Sequence, residues 1–293
     1  VAAFTKMLMR IDEDYPKGDM VDQALFTLAR RSIDSGDWAA AVQPLQRAIK
    51  RTKRGRPYYA EGRPQYFLAR AKLELGQTQE GTQLLARVIA DFPMSYYMVL
   101  AFSRLADIDP RKSAAVLSQA RSAEPRGDFV IADHPQLHRP AFERAVELVR
   151  QGDGKRALAE LDTLGVRSQK AHPSLVWASA FLLARIDVPE ASHHVLRSAT
   201  QIWPEHFPAG IWKSVWQVAY PRPFMKIVHK ELKRSPIPEH LAYAIMREES
   251  AFRPAVVSSA KAYGLMQIIV PTGKMMAKRL GLTATATTLR QPA

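Results

Sequence analysis

The stretch Gly36–Val42, GDWAAAV, has three similar counterparts further along the chain and is the first copy of a repeat. Each begins at a turn and carries a small residue five positions later, on the next helix. The other three stretches are GQTQEGT from Gly76, GDGKRAL from Gly152 and IDVPEAS from Ile186, and the small residues are Ala41, Gly81, Ala157 and Ala191. The pattern predicts repeated pairs of helices that pack closely against each other.

The turns are separated by 40, 76 and 34 residues, which is one, two and one copies of a unit of tetratricopeptide-like length. Most of the first two hundred or so residues read as short amphipathic helices rich in Ala, Leu and Arg, with little of the alternation expected of strands. We therefore predict an all-α fold that begins with helical hairpins stacked into a superhelix. The inner surface of such a superhelix serves as a scaffold or as a wall for a substrate.

The character of the sequence changes in Ile202–Phe224, where four prolines and three tryptophans interrupt the alanine-rich pattern. We predict a repeat domain over residues 1–221 and a second helical domain over residues 222–293. The chain begins VAAFTKMLMR and stops at TLRQPA, so we expect a processed or truncated fragment whose second domain is cut short.

Composition narrows the classes of function. The longest apolar run, Ser174–Ala184, is too short to span a bilayer, so no transmembrane helix is expected. The absence of cysteine excludes disulfides and thiolate metal sites. A net charge of +14 favours a polyanionic partner. Three classes of partner fit this charge: nucleic acid, an anionic membrane surface and an acidic cell-wall polymer.

Two adjacent glutamates end an apolar helical run in Ala244–Ile269, AIMREESAFRPAVVSSAKAYGLMQII. At about 100° per residue, Glu249 shares one arc of the helix with apolar residues, and Glu248 lies at its margin. The arc holds Leu241, Ala242, Ile245, Glu249 and Phe252, with Tyr243, Arg247 and Ser250 roughly opposite. Burial among apolar side chains favours a protonated carboxyl group, the form that a general acid needs. The pattern makes Glu249 a candidate acid; the alternative is a structural carboxylate paired with a nearby cation.

The residues after Glu249 carry a more specific signal. They are Ser250, Phe252, Pro254, Ser258, Gly264, Leu265, Met266 and Gln267, with Thr272 in the following turn. This spacing resembles the catalytic domain of the soluble lytic murein transglycosylases of the Slt type. The resemblance is strong over Pro238–Gly281, and members of this family carry an α-superhelical domain ahead of the catalytic one.

The resemblance implies a lysozyme-like domain that cuts the β-1,4 bond between N-acetylmuramic acid and N-acetylglucosamine and leaves a 1,6-anhydromuramyl end. By its position, Glu249 would protonate the leaving oxygen and then deprotonate the muramyl C6 hydroxyl. Ser250, Ser258 and Gln267 would contact the sugar, and Gly264, Leu265 and Met266 would shape the cleft. The family also implies peptidoglycan as the partner, a periplasmic location with peripheral association with the cell envelope, and no cofactor.

The distribution of acids agrees with this reaction. No Asp or Glu occurs between Ala251 and Ala293. Hydrolysis of a glycoside usually needs a second carboxylate, whereas attack by the sugar's own hydroxyl needs only one. Lys261 departs from the family pattern, in which a glycine is common at this position.

Three other functions remain open at this stage. A muramidase-type hydrolase would use the same fold and substrate, and a helical-repeat protein would hold glycan without cutting it. A nucleic-acid-binding protein would use the basic run Lys50–Tyr59, KRTKRGRPYY, which we interpret instead as a loop between repeats. We also expect no metal site, because Pro135 separates His134 from His138, and the adjacent pair His193-His194 points about 100° apart on a helix.

Overall fold

A computed structural model of the protein describes residues 2–51, 61–186, 189–199 and 205–292. Over these residues the chain is almost entirely helical, which confirms the predicted all-α class, and the only strands there are two of two residues each. Most of the basic run Lys50–Tyr59 lies outside the described residues. Within the described part, no helix is both long and apolar enough to cross a membrane.

Sixteen α-helices and one β-hairpin occur in the described residues. The helices are α1 (Ala2–Met9), α2 (Ile11–Asp14), α3 (Val21–Asp34), α4 (Trp38–Arg51), α5 (Arg63–Glu74), α6 (Thr78–Asp91), α7 (Tyr96–Ile108), α8 (Pro110–Ser122), α9 (Pro140–Arg150), α10 (Gly154–Thr163), α11 (Pro173–Leu183), α12 (Pro189–Ala199), α13 (Trp212–Ala219), α14 (Met225–Leu232), α15 (Glu239–Ser250) and α16 (Val270–Leu280). The strands are β1 (Ala262–Tyr263) and β2 (Ile268–Ile269).

The chain divides into two compact units. The first contains residues 1–128 with 201–213, and the second contains residues 129–200 with 214–293. This division groups residues by compactness and does not test the boundary predicted at residue 221, which stays a prediction.

The predicted helical hairpins are present in both units. Helices α3 and α4, and α5 and α6, pair in the first unit, and α9 with α10 and α11 with α12 in the second. Gly36, Gly76 and Gly152 all have positive φ angles, between 75° and 80°, which end the first helix of a pair at little steric cost. The fourth copy begins at Ile186, and its next two residues lie outside the described part.

The small residues five positions after each turn lie where two helices meet. Ala41 and Ala157 are fully buried, and Ala191 is buried as well. At Gly81 the contact is tighter still, since a Cβ atom there would lie 2.6 Å from Cγ of Leu73. The repeat therefore depends on a short side chain at this position, as the spacing predicted.

The second unit contains a separate small core after its two hairpins. It consists of Val228 from α14, Tyr243 and Met246 from α15, and Phe252, which is 1% exposed. Leu265 packs against this cluster from the turn between β1 and β2. This contact connects α15 to the hairpin.

The β-hairpin is short and antiparallel. Ala262 pairs with Ile269, and Tyr263 pairs with Ile268. Val257 forms a further bridge to Tyr263, so the chain from 257 to 269 folds back twice. This arrangement places the motif Gly264–Gln267 in the hairpin turn.

Candidate active site

The two glutamates lie in the last turn of α15, whose end is fixed by its neighbours. The backbone N–H of Ala251 donates to the Arg247 carbonyl at 3.0 Å, and that of Phe252 donates to the Met246 carbonyl at 3.2 Å. Ala251 and Phe252 both have positive φ angles, 49° and 62°. Such a conformation is unfavourable for residues other than glycine, and burial of the Phe252 ring offsets its cost.

Glu248 is held by two arginines. Arg247 donates its Nε–H to Glu248 Oε1 at 2.8 Å, and Arg197 of α12 donates to Glu248 Oε2 at 3.4 Å. Both oxygens of this carboxylate are thus already used as acceptors. Glu248 therefore fits the structural role, an ion-paired carboxylate at a helix end.

Glu249 differs from its neighbour in this respect. Its side chain is exposed and forms no hydrogen bond or ion pair with any other residue in the described part of the chain. It lies on the same side of α15 as Leu241 and Ile245, eight and four residues earlier. The carboxyl group is therefore open to contact with an incoming molecule.

The predicted burial of this side of the helix is wrong. Leu241 and Ile245 are 45% and 36% exposed, whereas Tyr243, Met246 and Ser250 are buried. Apolar residues occupy both sides of α15, so helical periodicity alone does not predict which side of the helix is buried. The side that packs is chosen by Val228 and Leu265, which contact the Tyr243 side.

The two serines predicted to contact substrate hydrogen-bond to their own backbone neighbours. Ser250 is 2% exposed and donates its hydroxyl to the Met246 carbonyl at 2.9 Å, a buried position that does not favour the predicted contact with a sugar. Ser258 is half-buried, and its Oγ accepts from the Ala262 N–H at 3.1 Å. Ser258 therefore closes the tight turn that leads into β1.

Lys261 lies in that tight turn with a φ angle of 57°. Its N–H donates to the Ser258 carbonyl at 3.0 Å. A left-handed residue is needed here, which gives a physical reason for glycine in the family pattern.

The motif Gly264–Gln267 forms the hairpin turn. Gly264 is buried with a φ angle of 76°, and its N–H donates to the Val256 carbonyl at 3.0 Å. Gln267 also has a positive φ angle and donates its Nε2 amide to the Gly264 carbonyl at 2.9 Å. Leu265 points into the core while Met266 is 39% exposed. Gln267 thus stabilises the turn, and Met266 is the residue of this motif that is most open to a ligand.

The histidines considered for a metal site contact other groups of the protein. His138 pairs with Asp133 at 2.6 Å, and His134 stacks on His172 with ring centroids 3.8 Å apart. His193 is buried and its Nδ1 lies 2.7 Å from the Ala219 carbonyl; burial lowers its pKa. No group of three or more His, Asp or Glu within the described ranges is placed to hold a metal ion.

Sequence reasoning missed the residues that distinguish the two glutamates. Arg197 is 51 residues from Glu248 and carries no local signal that would connect it to α15. Tyr220, whose ring lies 4.5 Å from the Arg247 guanidinium carbon, was also missed. These contacts depend on the tertiary packing of α12 and α13 near the end of α15.

The chain resembles known proteins in part of its sequence and in its fold. Residues 226–293 match the family model of the transglycosylase SLT domain. No curated protein sequence matches the chain at a significant level.

Solved structures similar to the chain include the 70 kDa soluble lytic transglycosylase Slt70 of Escherichia coli, at 18% identity and a TM-score of 0.58. That match covers 96% of this chain and 40% of the other, as does a match to a complex of the 70-kDa soluble lytic transglycosylase with bulgecin A. An inactive glutamate-to-glutamine mutant of the lytic transglycosylase Slt from Pseudomonas aeruginosa matches at 19% identity and a TM-score of 0.63, covering 99% of this chain and 42% of that one.

The chain spans about two fifths of the length of these solved structures. At this level of identity these matches establish the fold alone, while the family-model match over residues 226–293 confirms the resemblance inferred from the Glu249 motif. The chain therefore shares its fold with the soluble lytic transglycosylases and carries, over residues 226–293, the sequence signature of the transglycosylase SLT domain.

Proposed function

We propose that this protein is a peptidoglycan lytic transglycosylase and that Glu249 is its only acid and base. The observation that carries the proposal is the carboxyl group of Glu249 at the end of α15, which no residue in the described ranges pairs with, inside the segment that matches the transglycosylase SLT domain. The adjacent Glu248 is engaged by Arg197 and Arg247 and is not available for the same chemistry.

The reaction needs one carboxyl group that acts twice. Glu249 first donates a proton to the glycosidic oxygen as the bond from C1 of N-acetylmuramic acid breaks. The carboxylate then takes the proton of the C6 hydroxyl, whose oxygen bonds to C1 and closes the 1,6-anhydro ring. The acid is regenerated, no water is consumed, and no cofactor takes part.

The exposure of Glu249 sets a condition on this mechanism. Proton transfer to the leaving oxygen is most effective when water is excluded from the site. Because Glu249 is exposed, the bound glycan itself has to exclude water from its carboxyl group. Leu241 and Ile245 extend an apolar surface from Glu249 along α15, and the apolar face of a sugar ring fits such a surface. Met266 offers a further apolar contact from the hairpin turn.

The location follows from the substrate. We place the protein in the periplasm, in peripheral association with the cell envelope, because peptidoglycan lies there. The net charge of +14 supports this placement, since the polymer carries carboxylates that attract cations.

The decisive experiment compares two neighbouring substitutions on purified sacculi. Glu249→Gln removes the proposed acid, and Glu248→Gln is a matched control with the same change in charge one residue away. We expect Glu249→Gln to lower turnover by at least about a hundredfold, with glycan binding retained, and Glu248→Gln to change it by less than about tenfold. Mass spectrometry should find muropeptides one water lighter than hydrolysis products.

Two alternatives give other results in the same experiment. A muramidase-type hydrolase on this fold would release products that contain the additional water. A non-catalytic glycan-binding protein, which the exposure of Glu249 favours, would show no turnover and would lose little affinity in Glu249→Gln. Equal losses in both variants would contradict the role given to Glu249. A nucleic-acid-binding protein would instead show affinity for nucleic acid that falls steeply with salt, and no action on sacculi.

A further inference from the structure

A cavity of about 310 Å³ opens on the side of α15 that faces away from Glu249. Its walls come from the chain after α13, from Phe252 and from the α15 residues Glu239, Tyr243 and Arg247. At about 100° per residue, Tyr243 and Arg247 lie roughly 120° and 160° around the helix from Glu249. The cavity is therefore separate from the proposed catalytic surface, and its volume is within the range of small-molecule sites.

The hydroxyl group of Tyr243 lacks a partner in this cavity. Its oxygen is buried and forms no hydrogen bond with any residue in the described part of the chain. Burial, and to a lesser degree the charge of Glu239, raises the pKa of Tyr243, with Arg222 acting in the opposite direction. The phenol therefore stays a hydrogen-bond donor at neutral pH. A buried donor without an acceptor costs free energy, which a ligand that supplies an acceptor would recover.

The charges around the cavity select an anionic acceptor. Arg222 and Arg247 both line it, and the Nε–H of Arg247 is used by Glu248 while its terminal amino groups remain for another acceptor. Glu239, the acid of the cavity wall, is paired with His229 at 2.5 Å. The wall thus presents two guanidinium groups against one carboxylate that already has a partner.

Apart from His240, the rest of the wall consists of Tyr220, Pro221, Ala244 and Phe252. The Tyr220 ring already lies 4.5 Å from the Arg247 guanidinium carbon and stacks on Trp216 with ring centroids 5.2 Å apart, and Phe252 is only 1% exposed. Pro221 and Ala244, which are half-buried, supply the apolar contact for the body of a small molecule. The ligand therefore combines an anionic group with a compact apolar part.

We propose that this cavity binds a small organic monocarboxylate, with its carboxylate on Arg222 and the Tyr243 hydroxyl and its apolar body against Pro221 and Ala244. A guanidinium group matches the two oxygens of a carboxylate, and it also matches a phosphate. The formal charge of Arg222, Arg247 and Glu239 together is +1, so a monoanion balances the wall, whereas a dianion would leave an excess negative charge in the cavity.

The proposal is tested with benzoate, its neutral analogue benzamide, and the dianion phenylphosphonate, using titration calorimetry and proton NMR. Benzoate should bind saturably and at least about tenfold more tightly than the other two. Tyr243→Phe removes only the unpaired hydroxyl, and Arg222→Gln changes an exposed residue, so both variants should fold. Each should weaken benzoate binding about tenfold, whereas the control Lys226→Gln, an exposed cation on α14 with the same charge change, should leave it unaltered.

Three results would overturn the proposal. The first is no saturable binding of benzoate to the unmodified protein. The second is binding that neither Tyr243→Phe nor Arg222→Gln weakens, which would place the ligand elsewhere. The third is tighter binding of phenylphosphonate than of benzoate, which would assign the cavity to phosphate esters. Because the cavity does not include Glu249, none of these results affects the proposed lytic activity.

Discussion

At the residue scale, the chemistry of this protein depends on the difference between two identical side chains. Glu248 and Glu249 are neighbours in sequence, but α15 directs one toward Arg197 and Arg247 and leaves the other without a partner among the described residues. A rotation of about 100° per residue is enough for this separation. Conversely, an arginine brought within reach of Glu249 would remove the feature on which the proposed function depends.

The glycine of the hairpin turn provides a sharp test at the same scale. A Cβ atom on Gly264 would overlap the carbonyl oxygen of Leu289, and the φ angle of 76° is unfavourable for any other residue. We expect Gly264→Ala to lower the free energy of unfolding by more than about 3 kcal/mol. Urea denaturation followed by circular dichroism measures the change.

Gly281→Ala is the matched control for this substitution. Gly281 has a similar φ angle of 68°, but open space surrounds the position that a Cβ atom would occupy. Its loss should be about 1 kcal/mol, from the backbone conformation alone. Equal losses of unfolding free energy in the two variants would mean that the backbone of Leu289 does not lie close to Gly264.

At the element scale, the helical hairpin is the unit that the sequence predicts best. Its turn and its small residue lie within six positions of each other, so the signal is local. Gly36 and Ala41 show this directly, the first by its positive φ angle and the second by its complete burial. Local backbone preference and local side-chain size are both readable without knowledge of the tertiary structure.

The orientation of α15 was not predictable in the same way. Leu241 and Ile245 on one side and Tyr243 and Met246 on the other give the helix no single apolar face. The choice between the two sides is made by Val228 and Leu265, which lie on other elements. For the same reason Glu249 was identified by its motif, while its surroundings were predicted wrongly.

Gly81 of α6 lies in close contact with α5, and a substitution there tests this packing. Alanine favours helix over glycine by about 1 kcal/mol, but its Cβ would lie 2.6 Å from Leu73 Cγ and 3.1 Å from the Ala69 carbonyl oxygen. Crowding of α5 against α6 should outweigh the gain, so we expect Gly81→Ala to destabilise the protein by about 1–2 kcal/mol in urea denaturation. The exposed Gln83→Ala on the same helix should change stability by less than about 0.5 kcal/mol. A Gly81→Ala protein more stable than the parent would refute the close packing.

At the scale of the whole molecule, the stability of the protein should depend on pH through its buried histidines. Burial lowers the pKa of His193, with Arg197 and Arg247 acting in the same direction and the Ala219 carbonyl and Glu248 opposing them. Burial also lowers the pKa of His194. By contrast, Asp12 and Glu160 have lowered pKa values because of hydrogen bonds from Arg47 and Arg144, so carboxylates of this kind affect stability only at lower pH.

The sign of the effect follows from proton linkage. The unfolded chain takes up a proton on His193 near its ordinary pKa of about 6.5, before the folded chain does. The stabilisation is therefore complete above about pH 6.5 and is lost as the pH falls toward the folded pKa, by up to about 1.4 kcal/mol per pH unit. Urea denaturation at pH values between 7 and 5 should show this decline. His193→Gln keeps an amide that can donate to the Ala219 carbonyl but cannot titrate. The variant should therefore lose less stability between pH 7 and 5 and keep only the part of the decline due to His194. An unchanged slope of unfolding free energy against pH would show that His193 does not contribute.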